Sequence, residues 1–151
     1  MQERLSSSRR RFLKVVGAGS MLGAIPSCGD SSSPPEAFAD VSAGKVADTA
    51  VGTLRAIPGA PAYLGRDQQG LYAMTSTCPH EGCDMIAEGS VSADGVYCAC
   101  HGSRFDANGA VLAGPANSPL VHFAVDLDGD GNITVHGGSQ VDASVRKTVV
   151  G

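Results

Sequence analysis

The sequence predicts an all-β domain over residues 46–151, an antiparallel sandwich or barrel base. Short β-branched or alternating apolar runs recur after residue 45, as in residues 53–57 and 71–74. The runs end at turn signals such as Pro58-Gly59 and Asn108-Gly109. Regular short strands with such punctuation are typical of antiparallel sheets. No helical periodicity follows residue 45, so we expect no substantial helix in the domain.

The first quarter of the chain predicts an export signal rather than part of the domain. A basic stretch that includes Arg9-Arg10-Arg11 precedes an apolar run of small residues from Val15 to Ile25. This order is typical of a secretory signal and the run is short for a membrane span. The twin arginine resembles a Tat signal, whose substrates cross the membrane folded. We therefore expect residues 1–27 to send the protein to the periplasm, or to the periplasmic side of the bacterial inner membrane.

Cys28 follows this signal and predicts a lipid anchor. The residues before it resemble a lipobox, in which cleavage leaves a lipidated cysteine at the new terminus, although Pro26 departs from that pattern. If the signal is not cleaved, it acts as a marginal membrane anchor instead. Residues 28–45 begin with a Ser- and Pro-rich stretch that buries little apolar surface, which predicts a flexible linker. Both anchors tether the domain to the membrane.

The charge of the exported chain indicates the class of its partner. Without residues 1–27 the chain keeps 6 of its 11 lysines and arginines and 14 of its 15 carboxylates, a formal charge of −8. An acidic surface disfavours nucleic acid and favours a basic docking partner.

Two short segments carry candidate metal ligands. Cys78 and His80 form a C-x-H pair, and after 17 residues Cys98 and His101 form a C-x-x-H pair. Thiolates with imidazoles favour zinc, copper or iron-sulfur centres over calcium and magnesium. Zinc binds the same four ligands, but its usual spacings group like ligands, whereas each segment here mixes them.

These two segments resemble the ligand loops of the Rieske family. A Rieske 2Fe-2S cluster has one iron bound by two cysteines and the other by two histidines. The resemblance implies one such cluster, with Cys78 and Cys98 on the inner iron and His80 and His101 on the outer iron. It also implies a β base with a small cluster-binding subdomain, at about residues 76–118, projecting from one end.

The flanks of the loops extend the resemblance. It implies a disulfide between Cys83 and Cys100, as in the high-potential branch, and a covering loop at Gly114-Pro115. Ser103 stands where the family's serine hydroxyl bonds a bridging sulfide. Phe105 stands where high-potential members often have a tyrosine that bonds a ligand sulfur, so we expect a lower potential than in the quinol-oxidising members.

A cluster of this kind moves one electron at a time, so we expect a redox carrier with no substrate turnover of its own. It is either free-standing or the small subunit of a periplasmic oxidoreductase, such as an arsenite-oxidase-like molybdoenzyme. The expected partner is a c-type cytochrome or a larger oxidoreductase subunit. A Rieske oxygenase needs a longer chain, and the export signal and the Cys83/Cys100 pair disfavour an oxygenase ferredoxin.

The alternative is the iron-sulfur subunit of a quinol-cytochrome c oxidoreductase. In that branch the residue after the first ligand histidine is typically apolar and lines the docking surface, but this chain has Glu81. A carboxylate is costly to desolvate in such a contact. Phe105 counts against this alternative as well.

The C-terminal part offers weaker signals. Residues 126–131 match the first half of an EF-hand calcium loop, but the twelfth position is Gly137 rather than glutamate, so we expect a hairpin turn. His122 and His136 have no ligand-like neighbours in the sequence and are interpreted as surface or core side chains. The tail from Gly137 onward is expected to add an edge strand or to stay loose.

Overall fold

The computed structural model describes residues 35–150 and confirms the predicted all-β fold. A single 3₁₀ turn, Val46–Asp48, is the only helical segment of this range. The ten strands of the range are β1 (Val41–Lys45), β2 (Thr53–Ala56), β3 (Ala62–Arg66), β4 (Leu71–Thr75), β5 (Gly89–Ser92), β6 (Gly95–Cys98), β7 (Arg104–Asp106), β8 (Val111–Ala113), β9 (His122–Leu127) and β10 (Asn132–Val141).

The strands form two antiparallel sheets. The base sheet has six strands in the order β1-β10-β9-β4-β3-β2, and the small sheet has four in the order β5-β6-β7-β8. The small sheet is inserted between β4 and β9 along the chain, and these two strands pair with each other in the base. The first candidate metal loop follows β4, where the chain leaves the base sheet, and the second follows β6 within the small sheet.

Alternation along β3 and β4 divides the buried residues into two cores. Tyr63 and Met74 are register partners and belong to a core that also contains buried residues of the small sheet and its loops. Leu64 and Ala73, the next register partners, belong to a second core on the opposite side of the base sheet. Successive side chains of a strand point to opposite faces, so β3 and β4 supply both cores.

The domain begins earlier than the sequence pattern indicates. Strand β1 lies inside the range 28–45 predicted as linker, and it pairs with β10 in a register that sets Val41 opposite Val135. Phe38 also packs edge-on against Phe123, with ring centroids 5.0 Å apart. The small and polar residues of β1 carry little strand signal of their own. The strand forms by pairing with β10, which lies about ninety residues away in the chain, so local sequence did not predict it.

The turn between β9 and β10 is the predicted hairpin, with Leu127 opposite Ile133. Asp128 closes it: its Oδ1 accepts hydrogen bonds from the backbone N–H groups of Asp130 and Asn132, both at 2.9 Å, and its Oδ2 accepts one from Asn132 Nδ2 at 2.8 Å. The aspartates of residues 126–131 therefore belong to a hairpin with an Asx-type turn at Asp128, as the sequence predicted, rather than to a calcium loop.

The tail predicted from Gly137 onward starts as the end of β10, which continues to Val141, and only the part after it is neither loose nor a regular edge strand. Arg146 reaches both parts of the domain: its Nε donates to Asp67 Oδ2 in the base at 2.6 Å, and its Nη2 donates to Asn108 Oδ1 in the β7–β8 turn at 2.5 Å. The guanidinium also lies 4.2 Å from the ring centroid of Tyr72. Lys147 makes an isolated bridge with Leu71. The tail therefore ties the small sheet to the base.

The two histidines outside the metal loops occupy different settings. His122 is buried, stacks on Tyr72, and lies 3.0 Å from the Asn108 carbonyl through its Nε2. Burial lowers the pKa of His122. His136 has two acidic neighbours that the sequence interpretation missed, since its ring nitrogens contact Asp40 and Asp126.

Within residues 35–150, no helix has the length and apolar character needed to span a membrane. The predicted signal over residues 1–27, with Cys28 as the lipidation site, lies outside the described residues.

Candidate metal centre

The first ligand loop is a tight turn that starts at Cys78. The N–H of Gly82 donates to the carbonyl of Cys78 at 2.9 Å, and the N–H of Cys78 donates to the carbonyl of Cys83 at 2.8 Å. Gly82 has φ of 73°, in the left-handed region that glycine adopts at little cost. The turn holds Cys78 buried and leaves Glu81 exposed at its tip.

The second loop repeats this turn. The N–H of Gly102 donates to the carbonyl of Cys98 at 3.0 Å, and the N–H of Cys98 donates to the carbonyl of Ser103 at 2.9 Å. Gly102 also has positive φ, at 86°. Both loops therefore present a buried cysteine before an identical turn. The glycine four residues after each cysteine is the sequence signal for this repeat, and our sequence interpretation did not use it.

A disulfide joins the loops. Cys83 and Cys100 are bonded, with Cα atoms 6.7 Å apart, as the family resemblance implied. The N–H of Ala99 adds a second tie by donating to the carbonyl of Glu88 at 2.8 Å. Cys78 and Cys98 stay free and buried, so the two remaining thiols of residues 35–150 are those predicted as metal ligands.

The two predicted histidine ligands lie side by side at the loop tips. The rings of His80 and His101 have centroids 4.9 Å apart and an interplanar angle of 77°. Nδ1 of His80 is buried and has no hydrogen-bond partner. His101 is more open, with 47 % of its side chain exposed, and its Nε2 lies 3.5 Å from Glu81 Oε2. A buried nitrogen without a partner costs free energy unless it binds something.

Comparison with known families decides what this arrangement is. The model of the Rieske [2Fe-2S] domain matches residues 39–124, more than half of the chain. The chain belongs to the Rieske family. Its domain therefore binds a 2Fe-2S cluster, and the protein is an electron-transfer protein.

The relatives of this Rieske protein include a subunit of a cytochrome complex, a longer protein and a chain of an oxygenase–ferredoxin complex. The cytochrome b6-f complex iron-sulfur subunit of Synechococcus sp. (strain RCC307) is 32% identical over 89% of this chain and 87% of its own length. The putative Rieske 2Fe-2S iron-sulfur protein YhfW of Bacillus subtilis (strain 168) is 38% identical over 63% of this chain, but over only 17% of its own length. A chain of the solved complex of reduced oxygenase and oxidized ferredoxin in carbazole 1,9a-dioxygenase is 26% identical, with a TM-score of 0.50 over 68% of this chain and 97% of that one.

The donor set fits the cluster of a Rieske domain. The Cys78 and Cys98 thiols hydrogen-bond to each other. Burial raises the pKa of Cys78, an effect that the His80 N–H and the Ser103 hydroxyl partly oppose. A cationic metal stabilises such thiols as thiolates. The His80 Nδ1, which has no hydrogen-bond partner, is the kind of atom that would bind an iron ion. Two buried thiols and two adjacent imidazoles match the ligands of this cluster type.

Ser103 contacts the loop that was predicted to cover the cluster. Ser103 is fully buried, bonds the Cys78 sulfur, and accepts a hydrogen bond from the N–H of Ala116 at 2.9 Å. Ala116 is buried, whereas Gly114 and Pro115, predicted as the covering residues, lie exposed before it. The contact between this loop and Ser103 therefore runs through Ala116.

Phe105 shares a buried core with the two cysteines predicted as ligands. It is 1 % exposed and belongs to the same core as Cys78 and Cys98. Its ring has no hydrogen-bonding group, so this position offers no donor to sulfur.

Proposed function

We propose that this Rieske protein is an exported, membrane-tethered one-electron carrier whose cluster is bound by Cys78 and Cys98 on one iron and His80 and His101 on the other. The ligand assignment is supported by two loops of identical turn geometry, each of which begins with a buried free cysteine. The imidazoles of the same two loops, His80 and His101, lie side by side. The bound cluster accepts and returns a single electron, and its potential depends on the ligands, on hydrogen bonds to sulfur and on burial.

The chain's own residues direct the electron to one end of the molecule. Burial of Cys78 and Cys98 keeps water from the cysteine side, and the half-exposed His101 is the open ligand on the histidine side. A partner that contacts His101 comes nearest to the cluster, so we place electron exchange there. Because Glu81 lies beside His101, a partner that docks there also contacts Glu81.

Charge supports a basic partner, either a c-type cytochrome or a larger oxidoreductase subunit. Residues 35–150 carry 13 carboxylates and 6 lysines and arginines, a formal excess of 7 negative charges. Glu81 adds one of these negative charges at the exposed tip of the first ligand loop. Complementary charge steers encounter and sets orientation more than it sets affinity.

A second candidate is the iron-sulfur subunit of a quinol-oxidising cytochrome complex. Its support is the 32% identity to a cytochrome b6-f complex iron-sulfur subunit over most of both chains. Glu81 weighs against it, since 61 % of its side chain is exposed beside His101, where an apolar docking pocket needs a surface that is easily desolvated.

Export and tethering rest on residues 1–45 of the sequence: the Tat-type signal, Cys28 and the start of the linker. A tethered head reaches partners near the periplasmic face of the inner membrane. Replacing Arg9 and Arg10 by lysine tests export, because loss of the twin arginine is expected to leave the protein in the cytoplasm. Accumulation of the lysine variant in the periplasm at the normal level would show that the signal is of another type.

One experiment tests the ligand set and another tests the partner. Cys98→Ser and His101→Cys are each expected to abolish the electron paramagnetic resonance signal of the reduced Rieske cluster, and an unchanged signal in either variant contradicts the assignment. Copurification from gently solubilised membranes, followed by identification of the bound subunits, separates the candidates. A cytochrome b supports the quinol-oxidising alternative, whereas a soluble cytochrome or a molybdoenzyme subunit supports the main proposal.

A further inference from the structure

A tyrosine in the core that contains the predicted cysteine ligands has a hydroxyl without a partner. Tyr63, on β3, is fully buried, and its Oη has no hydrogen-bond partner. Buried hydroxyls usually have one, because an unpaired hydroxyl loses its bonds to water and gains none. Residues 35–150 contain three other such buried side-chain atoms, which belong to Ser76 after β4, His80 in the first ligand loop and His122 on β9.

Tyr63 shares a buried core with the predicted cysteine ligands. It belongs to the same buried core as Cys78, Cys98 and Phe105, on the face of β3 that points toward the small sheet. Burial, followed by the nearby Asp84 carboxylate and the Cys98 thiol, raises the pKa of Tyr63. The hydroxyl therefore keeps its proton and is available as a donor at neutral pH.

We propose that Tyr63 donates a hydrogen bond to a sulfur on the Cys98 side of the bound cluster, and so supplies from the base sheet the donor that Phe105 cannot supply from β7. This inference rests on the proposed ligand set. The acceptor is the Cys98 thiolate or the sulfide next to it, both of which become more electron-rich when the cluster is reduced. Hydrogen bonds to sulfur raise the reduction potential of such clusters.

The test is the reduction potential of the loaded full-length protein with Tyr63→Phe. Removal of the hydroxyl is expected to shift the reduction equilibrium toward the oxidised form by up to about tenfold, which corresponds to a fall of about 59 mV. Tyr72→Phe is the matched control. Tyr72 lies on the adjacent strand and the same face, but its hydroxyl already donates to the Ala107 carbonyl at 2.7 Å. The control is expected to keep the wild-type potential.

A spectroscopic readout separates this bond from a packing effect. Electron-nuclear double resonance of the reduced protein in D₂O is expected to show an exchangeable deuteron coupled to the cluster that is lost in Tyr63→Phe and kept in Tyr72→Phe. An unchanged potential with the deuteron retained in Tyr63→Phe overturns the proposal and leaves the Asp84 carboxylate as the acceptor to examine. Equal shifts in both variants also overturn it, because they would indicate packing.

Two further outcomes keep the proposal testable. If Tyr63→Phe does not load its cluster, 3-fluorotyrosine is incorporated into the Tyr72→Phe/Tyr97→Phe chain, in which Tyr63 is the one remaining tyrosine. Fluorination makes the Tyr63 hydroxyl a stronger donor, and the potential is expected to rise relative to the same chain without fluorine. A potential unmoved by fluorination contradicts the bond. A wild-type protein without a Rieske signal defeats the proposed function itself, whereas an intact signal with no response at Tyr63 defeats only this inference.

Discussion

The Glu81 carboxylate lies 3.5 Å from Nε2 of His101, across the tips of the two ligand loops. Glu81 follows His80 in the first loop and His101 belongs to the second, so the contact bridges the loops on their solvent side. It places a negative charge at the most open end of the metal centre. The contact also occupies the surface that a redox partner must approach.

Removal of that charge is expected to raise the reduction potential. A nearby carboxylate disfavours the reduced form, which is the more negative one, so Glu81→Gln should shift the potential upward by on the order of tens of mV at low salt. The shift should shrink as ionic strength rises, because the side chain is exposed.

Asp94→Asn is the matched control for Glu81→Gln. Asp94 is also exposed, but it lies in the β5–β6 turn, at the far end of β6 from Cys98. Protein-film voltammetry on both variants checks the prediction, and equal shifts would show that only the net charge matters.

A hydroxyl introduced at Phe105 should raise the potential. Phe105 is buried in the core that holds Cys78 and Cys98, so Phe105→Tyr adds a hydrogen-bond donor to that core. We expect a rise of several tens of mV, where about 59 mV corresponds to a tenfold change for one electron. Ser103→Ala removes the hydroxyl that bonds Cys78 and should lower the potential. If Phe105→Tyr lowers the potential or leaves it unmoved while the spectra show an intact cluster, the ring does not face the cluster.

Loss of the disulfide should weaken the domain and leave the ligands in place. Cys83→Ser removes a cross-link between residues separated by 17 positions, and a link of this kind contributes roughly 2 to 4 kcal/mol. Denaturant unfolding of the loaded protein measures the loss, and the reduced-state spectrum should keep its Rieske form. The double variant Cys83→Ser/Cys100→Ser should lose no more than the single one. A Cys83→Ser protein of wild-type stability would contradict a structural role for the bond.

The His136 contacts should stabilise the domain at acidic pH. The hydrogen bond with Asp40, followed by the hydrogen bond with Asp126, raises the pKa of His136 above its ordinary value. A group whose pKa is raised in the folded state contributes stability below its unfolded pKa, about 6.5 for histidine, and loses it as the pH rises through the folded value. The difference in unfolding free energy between wild type and His136→Gln should therefore decline as the pH increases above about 6.5.

The other three histidines are common to both proteins, so they cancel in that difference. A difference that stays constant across this pH range would show that His136 acts by packing alone.

Local spacing is what made the metal centre predictable from sequence. Cys78 and His80 lie within a stretch of three residues, and Cys98 and His101 lie within a stretch of four. The ligand types and their loops could therefore be recognised from the sequence without knowledge of the fold. The strands at residues 53–56 and 71–75 were predictable for a similar reason, since alternation and turn residues are local properties.

Long-range pairing hid the rest. The bond of Arg146 to Asp67 spans 79 positions, and the contact of His136 with Asp40 spans 96. No local pattern marks either one. Local alternation also does not show which side of β3 and β4 carries the metal loops, because that depends on how the small sheet packs on these strands.

The most direct test of a Rieske centre in this protein is the metal and sulfide content of the purified chain, matured in its native host. We predict two irons and two acid-labile sulfides per chain, with a Rieske-type electron paramagnetic resonance signal after reduction. Stoichiometric zinc with no acid-labile sulfide would contradict this prediction.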